Sequence, residues 1–238
     1  MKRKIVRRLS LLLMVAVAVL IVVYSASINR ADDKAIKAMD IDYRLVSGAY
    51  HVQSDDPQAS LVFYPGALVE SEAYLPLASE IAQYGIDVYI PKMPLHLAIL
   101  DANAAFKIDD DLDTPIFIGG HSLGGVAALQ HLEESPEVYD GLFLIASYPQ
   151  PSIDLSSWDK PVLSITASKD GVMDIASYEE ALERLPDHTV HHEIEGANHA
   201  NFGNYGKQRF DEEATISRSE QQTITANQIS DMILENLE

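Results

Sequence analysis

Residues 116–134 read IFIGGHSLGGVAALQHLEE, the most informative part of the sequence. Three apolar residues typical of a buried strand lead into a glycine-rich turn, and a helical pattern follows. The turn contains the pattern Gly-x-Ser-x-Gly at Gly120, Ser122 and Gly124. Glycine on either side of the serine allows neighbouring chain to pass where a β-carbon would collide. We therefore expect the Ser122 hydroxyl to project from a sharp turn at the amino end of a helix, where developing negative charge is favoured.

Short apolar runs alternate with helical patterns along the rest of the chain. Strands are predicted at 43–52 (near a sheet edge), 60–64, 86–90, 115–118, 142–146, 162–166 and 190–194, and helices at 72–84, 98–108, 123–134, 177–185 and 216–237. This alternation predicts an α/β protein with a mostly parallel sheet flanked by helices on both faces. Such sheets carry their active sites at the carboxyl ends of the strands.

Charge and cysteine content exclude several classes of function. The 238 residues carry a formal net charge of −19, and residues 31–238 contain 11 Lys and Arg against 36 Asp and Glu. A body this acidic is repelled by phosphate backbones, so no nucleic-acid partner is expected. The chain has no cysteine. Disulfides, thiolate catalysis and cysteine-based metal sites are thereby excluded.

The amino terminus has the pattern of an export signal. A basic head, MKRKIVRR, precedes an apolar run from Leu9 to Val23. We expect a signal anchor, or transmembrane segment, at 1–28, a linker at 29–42 and a catalytic domain at 43–238. Because a basic head stays on the cytoplasmic side, the pattern predicts a single-pass protein of the cell membrane with its body outside the cytoplasm. The alternative is a secreted protein released by cleavage near residues 24–27, where the small-residue pattern is a weak match.

A serine hydroxyl is a poor nucleophile unless a base takes its proton. Both partners are expected after Ser122, in the order acid and then histidine. His199 lies in a loop that follows the predicted strand 190–194, and Asp170 follows the predicted strand 162–166. Both positions are carboxyl ends of strands, which makes His199 the candidate base and Asp170 the candidate acid. Asp174, four residues further on, stays open as a second candidate acid.

An oxyanion hole needs two backbone N–H donors. The amide of Leu123, directly after the candidate nucleophile, is expected to supply one. The second is expected from the loop after strand 60–64, where Pro65 has no N–H. Ala67 is the first choice for this donor and Gly66 the second.

Polar residues surround the candidate base in the sequence. Asn198, Tyr205 and Gln208 are candidates for lining the substrate pocket, although such side chains often brace a loop instead. The acidic run 109–113 lacks the glycine and terminal glutamate of a calcium-binding loop and is interpreted as a solvated loop. No metal ion and no cofactor are expected.

Several segments carry a family resemblance. FYPGALVESEAY (63–74), PLHLAILDANAA (94–105), GGHSLGG (119–125), SYPQ (147–150), LSITASKDG (163–171) and GANHANFGNYGKQ (196–208) resemble the α/β-hydrolase superfamily. More narrowly, they resemble its small, lidless fold-five group, which is related to dienelactone hydrolases. The resemblance covers roughly residues 44–235. It implies Ser122 as nucleophile, Asp170 as acid, His199 as base and an eight-stranded type of sheet, with or without the first strand.

This chain differs from dienelactone hydrolases in its candidate nucleophile, and the difference concerns the substrate. Dienelactone hydrolases use a cysteine nucleophile, so their lactone substrate is not carried over to a chain with Ser122. A small or medium carboxylic ester is expected, because no long lid insertion follows the strand at 142–146. An acyltransferase with the same triad and a non-catalytic binding protein on a hydrolase frame stay open as alternatives. The sequence leaves the identity of the substrate and the oligomeric state undetermined.

Overall fold

The computed structural model describes residues 2–109 and 112–237, except for the side chains of 2–12 and 109. The strands are β1 (Arg44–Val46), β2 (Ala49–Val52), β3 (Ala59–Tyr64), β4 (Ile86–Pro91), β5 (Ile116–His121), β6 (Gly141–Ile145), β7 (Val162–Ala167) and β8 (Val190–Ile194). The helices are α1 (Lys2–Ser27), α2 (Asp33–Ala38), α3 (Leu75–Ala82), α4 (Phe106–Asp109), α5 (Leu123–Glu134), α6 (Ile175–Ala181) and α7 (Arg218–Leu234).

Across residues 2–109 and 112–237, all eight strands belong to one sheet, in the order β1-β2-β4-β3-β5-β6-β7-β8. The pairs β1–β2 and β2–β4 are antiparallel, and every other pair is parallel. This confirms the predicted α/β class and its mostly parallel sheet. Strands β3 to β7 are buried along their whole length, which explains their continuous apolar runs.

The hydrophobic core consists of two layers, one on each face of the sheet. Successive residues of β3 alternate between them: Leu61 contributes to one layer and Val62 to the other. Leu77 of α3 and Ile229 of α7 complete the first layer, while Leu129 of α5 belongs to the second. Helices therefore cover both faces of the sheet.

The predicted edge strand 43–52 is two strands rather than one. Ser47 and Gly48 have φ values of 50° and 82°, and they form the two-residue turn that joins β1 to β2. Positive φ at both central residues is typical of a tight hairpin. The first strand of the sheet, which the sequence left in question, is therefore present.

The helix predicted at 98–108 was largely wrong. The structure has separate 3₁₀ turns at Ala98–Leu100 and Ala102–Ala105, and only the single turn of α4 is α-helical. The hydroxyl of Tyr64 accepts the N–H of Ala105. This side chain therefore takes a backbone group that a continuous helix would use. Of the acidic run that follows, residues 110 and 111 lie outside the described residues.

The amino-terminal helix α1 spans Lys2–Ser27, and its described apolar side chains from Leu13 to Val23 are exposed. Over the residues that the structure describes, no helix has both the length and the apolar character required to cross a membrane. The side chains of residues 1–12, with which the predicted anchor at 1–28 begins, lie outside the description.

The predicted linker 29–42 is docked on the body. The N–H of Asn29 donates to the carbonyl oxygen of Leu68 (2.6 Å), and the N–H of Asp32 donates to the carbonyl oxygen of Asn204 (2.8 Å). Helix α2 follows and buries one isoleucine in the core. This segment therefore lies against the loops that follow β3 and β8, which carry the candidate active site.

Candidate active site

Ser122 occupies the turn between β5 and α5 in a backbone conformation that is rare for any residue except glycine. Its φ is 54° and its ψ is −125°. Such a conformation is strained, and it persists only where the surrounding structure enforces it. The N–H of Ser122 donates to the carbonyl oxygen of Ile145 in β6 (2.8 Å), which helps to hold the turn. The structure thus contains the sharp strand-turn-helix that the sequence predicts.

The glycines of the turn are required by the close approach of β3. A β-carbon on Gly124 would lie 2.2 Å from the carbonyl oxygen of Tyr64, and one on Gly120 would lie 2.5 Å from the same oxygen. The end of β3 therefore packs directly on the serine turn. This contact brings the loop that begins at Pro65 next to Ser122.

His199 and Asp170 are joined by a short hydrogen bond between His199 Nδ1 and Asp170 Oδ2 (2.7 Å). Both side chains are buried. The other carboxylate oxygen, Oδ1, accepts the N–H groups of Val172 and Met173, each at 2.8 Å. Asp174 instead caps α6 by accepting the N–H of Ser177 (3.2 Å). Of the two candidate acids, Asp170 is thus the one that contacts His199.

The surroundings of Asp170 keep its carboxyl group ionised. Burial alone raises the pKa of Asp170. The hydrogen bond and charge of His199, together with the two backbone N–H groups, lower it by more than burial raises it, so the net pKa lies below its ordinary value. An ionised carboxylate only accepts hydrogen bonds, so His199 carries its proton on Nδ1 when neutral. Its Nε2 is then a proton acceptor. This nitrogen is buried and has no hydrogen-bond partner among the described residues.

Ser122 and His199 border the same cleft, which has a volume of about 250 Å³. Val126 of α5, Tyr148 after β6 and Met173 after β7 form part of its wall. Apart from α5, these walls come from loops at the carboxyl ends of the strands, where parallel sheets place their active sites. The cleft therefore offers an open space, with an apolar part, beside the candidate nucleophile.

The candidate oxyanion donors differ in their availability. The N–H of Leu123 is the first of α5, so it has no partner within the helix. The N–H of Gly66 donates to the hydroxyl oxygen of Tyr74 (3.1 Å) and is therefore occupied. The N–H of Ala67 makes no hydrogen bond to any of the described residues. Ala67 rather than Gly66 is thus the free donor in this loop.

The sequence analysis missed a buried chain of polar groups that extends from Gly66 to His121. Because the Tyr74 hydroxyl oxygen accepts the N–H of Gly66, its own proton is available for Nδ1 of His121, at 2.8 Å. Burial, and then the charge of His199, hold the pKa of His121 well below its usual value. His121 is therefore a neutral acceptor that fixes Tyr74. No spacing rule relates residues 74 and 121, since only the packing of the sheet brings them together.

Asn198, Tyr205 and Gln208 do not border the cleft of Ser122. The side-chain amide of Asn198 donates to the carbonyl oxygen of Glu212 (2.7 Å), and the Tyr205 hydroxyl, on a side chain that is 1% exposed, donates to Gln208 (3.1 Å). Their hydrogen-bonding groups are used within the loop. Asn198 and Gln208 border a separate cavity beside this loop. Of the two interpretations that the sequence left open, these contacts support bracing of the loop.

Comparison with known proteins places the chain in a family. Residues 60–223 match the model of the alpha/beta hydrolase family. The chain belongs to the alpha/beta hydrolase family. This match confirms the resemblance seen in the sequence segments around Ser122, Asp170 and His199. A comparison of this alpha/beta hydrolase with curated proteins found no match.

Solved structures show the same alpha/beta hydrolase fold at low sequence identity. A dienelactone hydrolase from Anabaena variabilis has a TM-score of 0.61 and 17% identity, and the alignment covers 83% of this chain and 99% of that one. The esterase domain of a Rhodothermus marinus protein has a TM-score of 0.61 and 13% identity over 80% and 93% of the two chains. A ferulic acid esterase from Streptomyces cinnamoneus has a TM-score of 0.61 and 16% identity over 77% and 68%. At these identities the likeness concerns the fold alone.

Proposed function

We propose that this alpha/beta hydrolase is a serine esterase that hydrolyses carboxylic esters through an acyl-enzyme. The main support is the hydrogen bonding of His199. His199 is held by a buried carboxylate at Nδ1 while its Nε2 has no partner among the described residues, and His199 and Ser122 border one cleft. This is the arrangement that a histidine base requires: a fixed tautomer on one side and a free acceptor nitrogen on the other.

In the proposed reaction, Nε2 of His199 takes the hydroxyl proton of Ser122 as Oγ attacks the ester carbonyl carbon. The negative charge that develops on the carbonyl oxygen is stabilised by the N–H groups of Leu123 and Ala67. The alcohol leaves with the proton from His199, and the acyl group stays on Ser122. Water then gives a proton to Nε2 of His199 and attacks the acyl carbon. The bond from that carbon to Ser122 Oγ breaks, His199 returns the proton to Oγ, and the acid is released. Asp170 stays ionised throughout and stabilises the imidazolium.

The proposed substrates are esters of small or medium size. The cleft has a volume of about 250 Å³, and its walls include Val126 and Met173. Both contribute apolar surface, which suits a short acyl chain. The likeness of the fold to proteins described as an esterase domain and a ferulic acid esterase supports the same reaction type.

We also propose that the body of the protein lies on the outer side of the cytoplasmic membrane. This location is supported by the basic head at residues 1–8, the apolar run from Leu9 to Val23 and the exposure of the described part of that run. Fractionation of cells that produce the full chain, followed by external protease digestion, tests it. We expect the full-length chain in the membrane fraction and its body accessible to the protease. Recovery in the soluble cytoplasmic fraction would contradict the proposal.

The esterase proposal is tested with a fluorophosphonate probe and p-nitrophenyl esters of graded chain length. We expect labelling and hydrolysis by the wild type, and a loss of turnover of roughly 10⁴-fold or more in Ser122→Ala. Ser147→Ala is the matched control, because Ser147 borders the same cleft. Absence of labelling in folded wild-type protein would overturn the proposal in favour of a binding protein. Transfer of the acyl group to an added alcohol in preference to water would favour the acyltransferase alternative.

A further inference from the structure

A third segment, residues 207–213, lies against both loops that carry the candidate base and the candidate acid. Its contact with the acid loop is very close. A β-carbon on Gly171, the residue after Asp170, would lie 2.1 Å from the carbonyl oxygen of Phe210. The segment is also fixed from the other side, since the side-chain amide of Asn198 donates to the carbonyl oxygen of Glu212 (2.7 Å). It is therefore packed chain rather than a loose surface loop.

Asp211, in the middle of this segment, connects the two loops through one carboxylate. Its Oδ1 accepts the N–H of His199 (3.1 Å) and the N–H of Gly171 (3.3 Å). Its Oδ2 accepts the N–H of Ala200 (2.8 Å). One of these donors is the backbone of the candidate base itself, and another is the backbone of the residue next to Asp170. Hydrogen bonds from amides to an ionised acceptor are among the stronger ones in proteins.

Few other hydrogen bonds among the described residues join the loop after β7 to the loop after β8. The β7–β8 pairing ends with Ala167 opposite Ile194. Beyond it, the N–H of Ser168 donates to the carbonyl oxygen of Ile194 (3.2 Å), the N–H of Gly196 to Oγ of Ser168 (2.8 Å) and the N–H of Lys169 to the carbonyl oxygen of Ala197 (2.8 Å). Beyond that point, the bond between Asp170 and His199 and the bonds to Asp211 hold the loops together. Without Asp211, the bond between Asp170 and His199 would be the one described hydrogen bond that joins the two loops beyond Lys169 and Ala197.

We propose that Asp211 is a positioning residue, which sets the separation of Asp170 and His199 and the direction of the His199 imidazole. This inference rests on the proposed function for its consequence in turnover. Asp211 acts through the backbone of both loops and is not assigned any contact with the substrate. The order Ser, Asp, His along the chain gives no indication of it, because Asp211 follows all three.

Two substitutions separate the position of the carboxylate from its charge. Asp211→Asn keeps the shape but turns one acceptor oxygen into an NH₂ group that faces an N–H donor. Asp211→Glu keeps the charge but places it one methylene further out. Glu213→Gln is the control: Glu213 is exposed in the same segment and pairs with Lys207. We expect kcat for a p-nitrophenyl ester to fall by about 10²-fold in both Asp211 variants, with KM nearly unchanged, and no change in the control.

A second readout does not depend on activity. The Nδ1 proton of His199, shared with Asp170, should give a far-downfield proton NMR signal in the wild type that is absent in His199→Gln. We expect this signal to shift or disappear in folded Asp211→Glu and to remain in Glu213→Gln. Wild-type kcat and an unchanged signal in the folded Asp211 variants would overturn the inference. If the wild type neither hydrolyses esters nor reacts with the fluorophosphonate, the proposed function fails, and the NMR comparison still decides the role of Asp211.

Discussion

The imidazole rings of His121 and His199 lie 4.5 Å apart between their centroids, tilted by 48°. Two imidazolium ions cannot share this buried space without strong repulsion, so a proton on His199 excludes one on His121. Burial, and then the charge of His199, lower the pKa of His121. In the proposed reaction His199 is therefore the ring that takes the proton, while His121 stays neutral and keeps Tyr74 in place.

The neutral state of His121 predicts a dependence of stability on pH. Because the folded-state pKa of His121 lies well below the ordinary histidine value of 6.5, the unfolded chain binds a proton just below that pH that the folded chain does not. The free energy of unfolding should therefore fall as the pH drops below 6.5, until the folded-state pKa is reached. His121 contributes up to about 1.4 kcal/mol per pH unit to this slope. Urea unfolding of wild type and His121→Gln between pH 5 and 8 measures it, and equal slopes in the two proteins would contradict the prediction.

The two candidate acids are distinguished by substitution with asparagine. Asp170→Asn removes the charge that stabilises the His199 imidazolium and disturbs its tautomer, so kcat should fall by about 10³- to 10⁴-fold. Asp174→Asn should retain most of the wild-type turnover, because asparagine can still cap α6 and Asp174 does not contact Nδ1 of His199. Steady-state kinetics on one p-nitrophenyl ester compares them. Loss of turnover in Asp174→Asn alone would reverse the assignment.

The hydroxyl of Tyr74 should matter for both stability and turnover. Tyr74→Phe leaves the buried N–H of Gly66 and Nδ1 of His121 without their partner. One unsatisfied buried group costs about 1–3 kcal/mol, so with two such groups the free energy of unfolding should fall by at least that amount. We also expect a lower kcat, since the loop that carries Ala67 loses one of its attachments. Tyr84→Phe removes a hydroxyl from an exposed tyrosine and is the control. A Tyr74→Phe protein as stable and active as this control would show that the polar chain has no role.

Gly124 should not tolerate a methyl group. The β-carbon of alanine would lie 2.2 Å from the carbonyl oxygen of Tyr64, and backbone on both sides must shift to admit it. We expect Gly124→Ala to lower the free energy of unfolding by about 3 kcal/mol and to lose turnover as the serine turn is displaced. Gly206→Ala is the matched control, since no atom of the described residues lies within 4 Å of a β-carbon there. Thermal unfolding and ester hydrolysis of both variants provide the comparison.

The sequence predicts the parts of the molecule that depend on local pattern. The turn around Ser122 and the strands that precede Asp170 and His199 follow from apolar runs and glycine spacing, and the structure has them. The contacts among Gly66, Tyr74 and His121 depend on how β3 and β5 pack side by side, which no local pattern records. The same holds for the hydrogen bonds of Asp211. The helix predicted at 98–108 was largely wrong because the Tyr64 hydroxyl competes for its backbone.

The docked segment that begins at Asn29 gives a short connection between the amino-terminal helix and the loops of the candidate active site. Asn29 lies two residues after the end of α1, a reach of at most about 7 Å, and its N–H is bonded to the carbonyl oxygen of Leu68, the residue after Ala67. A surface that binds α1 would therefore also hold the loop after β3 close to itself. Cleavage between Ser25 and Ala26 would remove most of α1 but keep the hydrogen bonds of Asn29 and Asp32. A shortened chain that begins after Asp32 would lack both bonds, and with them the attachment to the loops after β3 and β8.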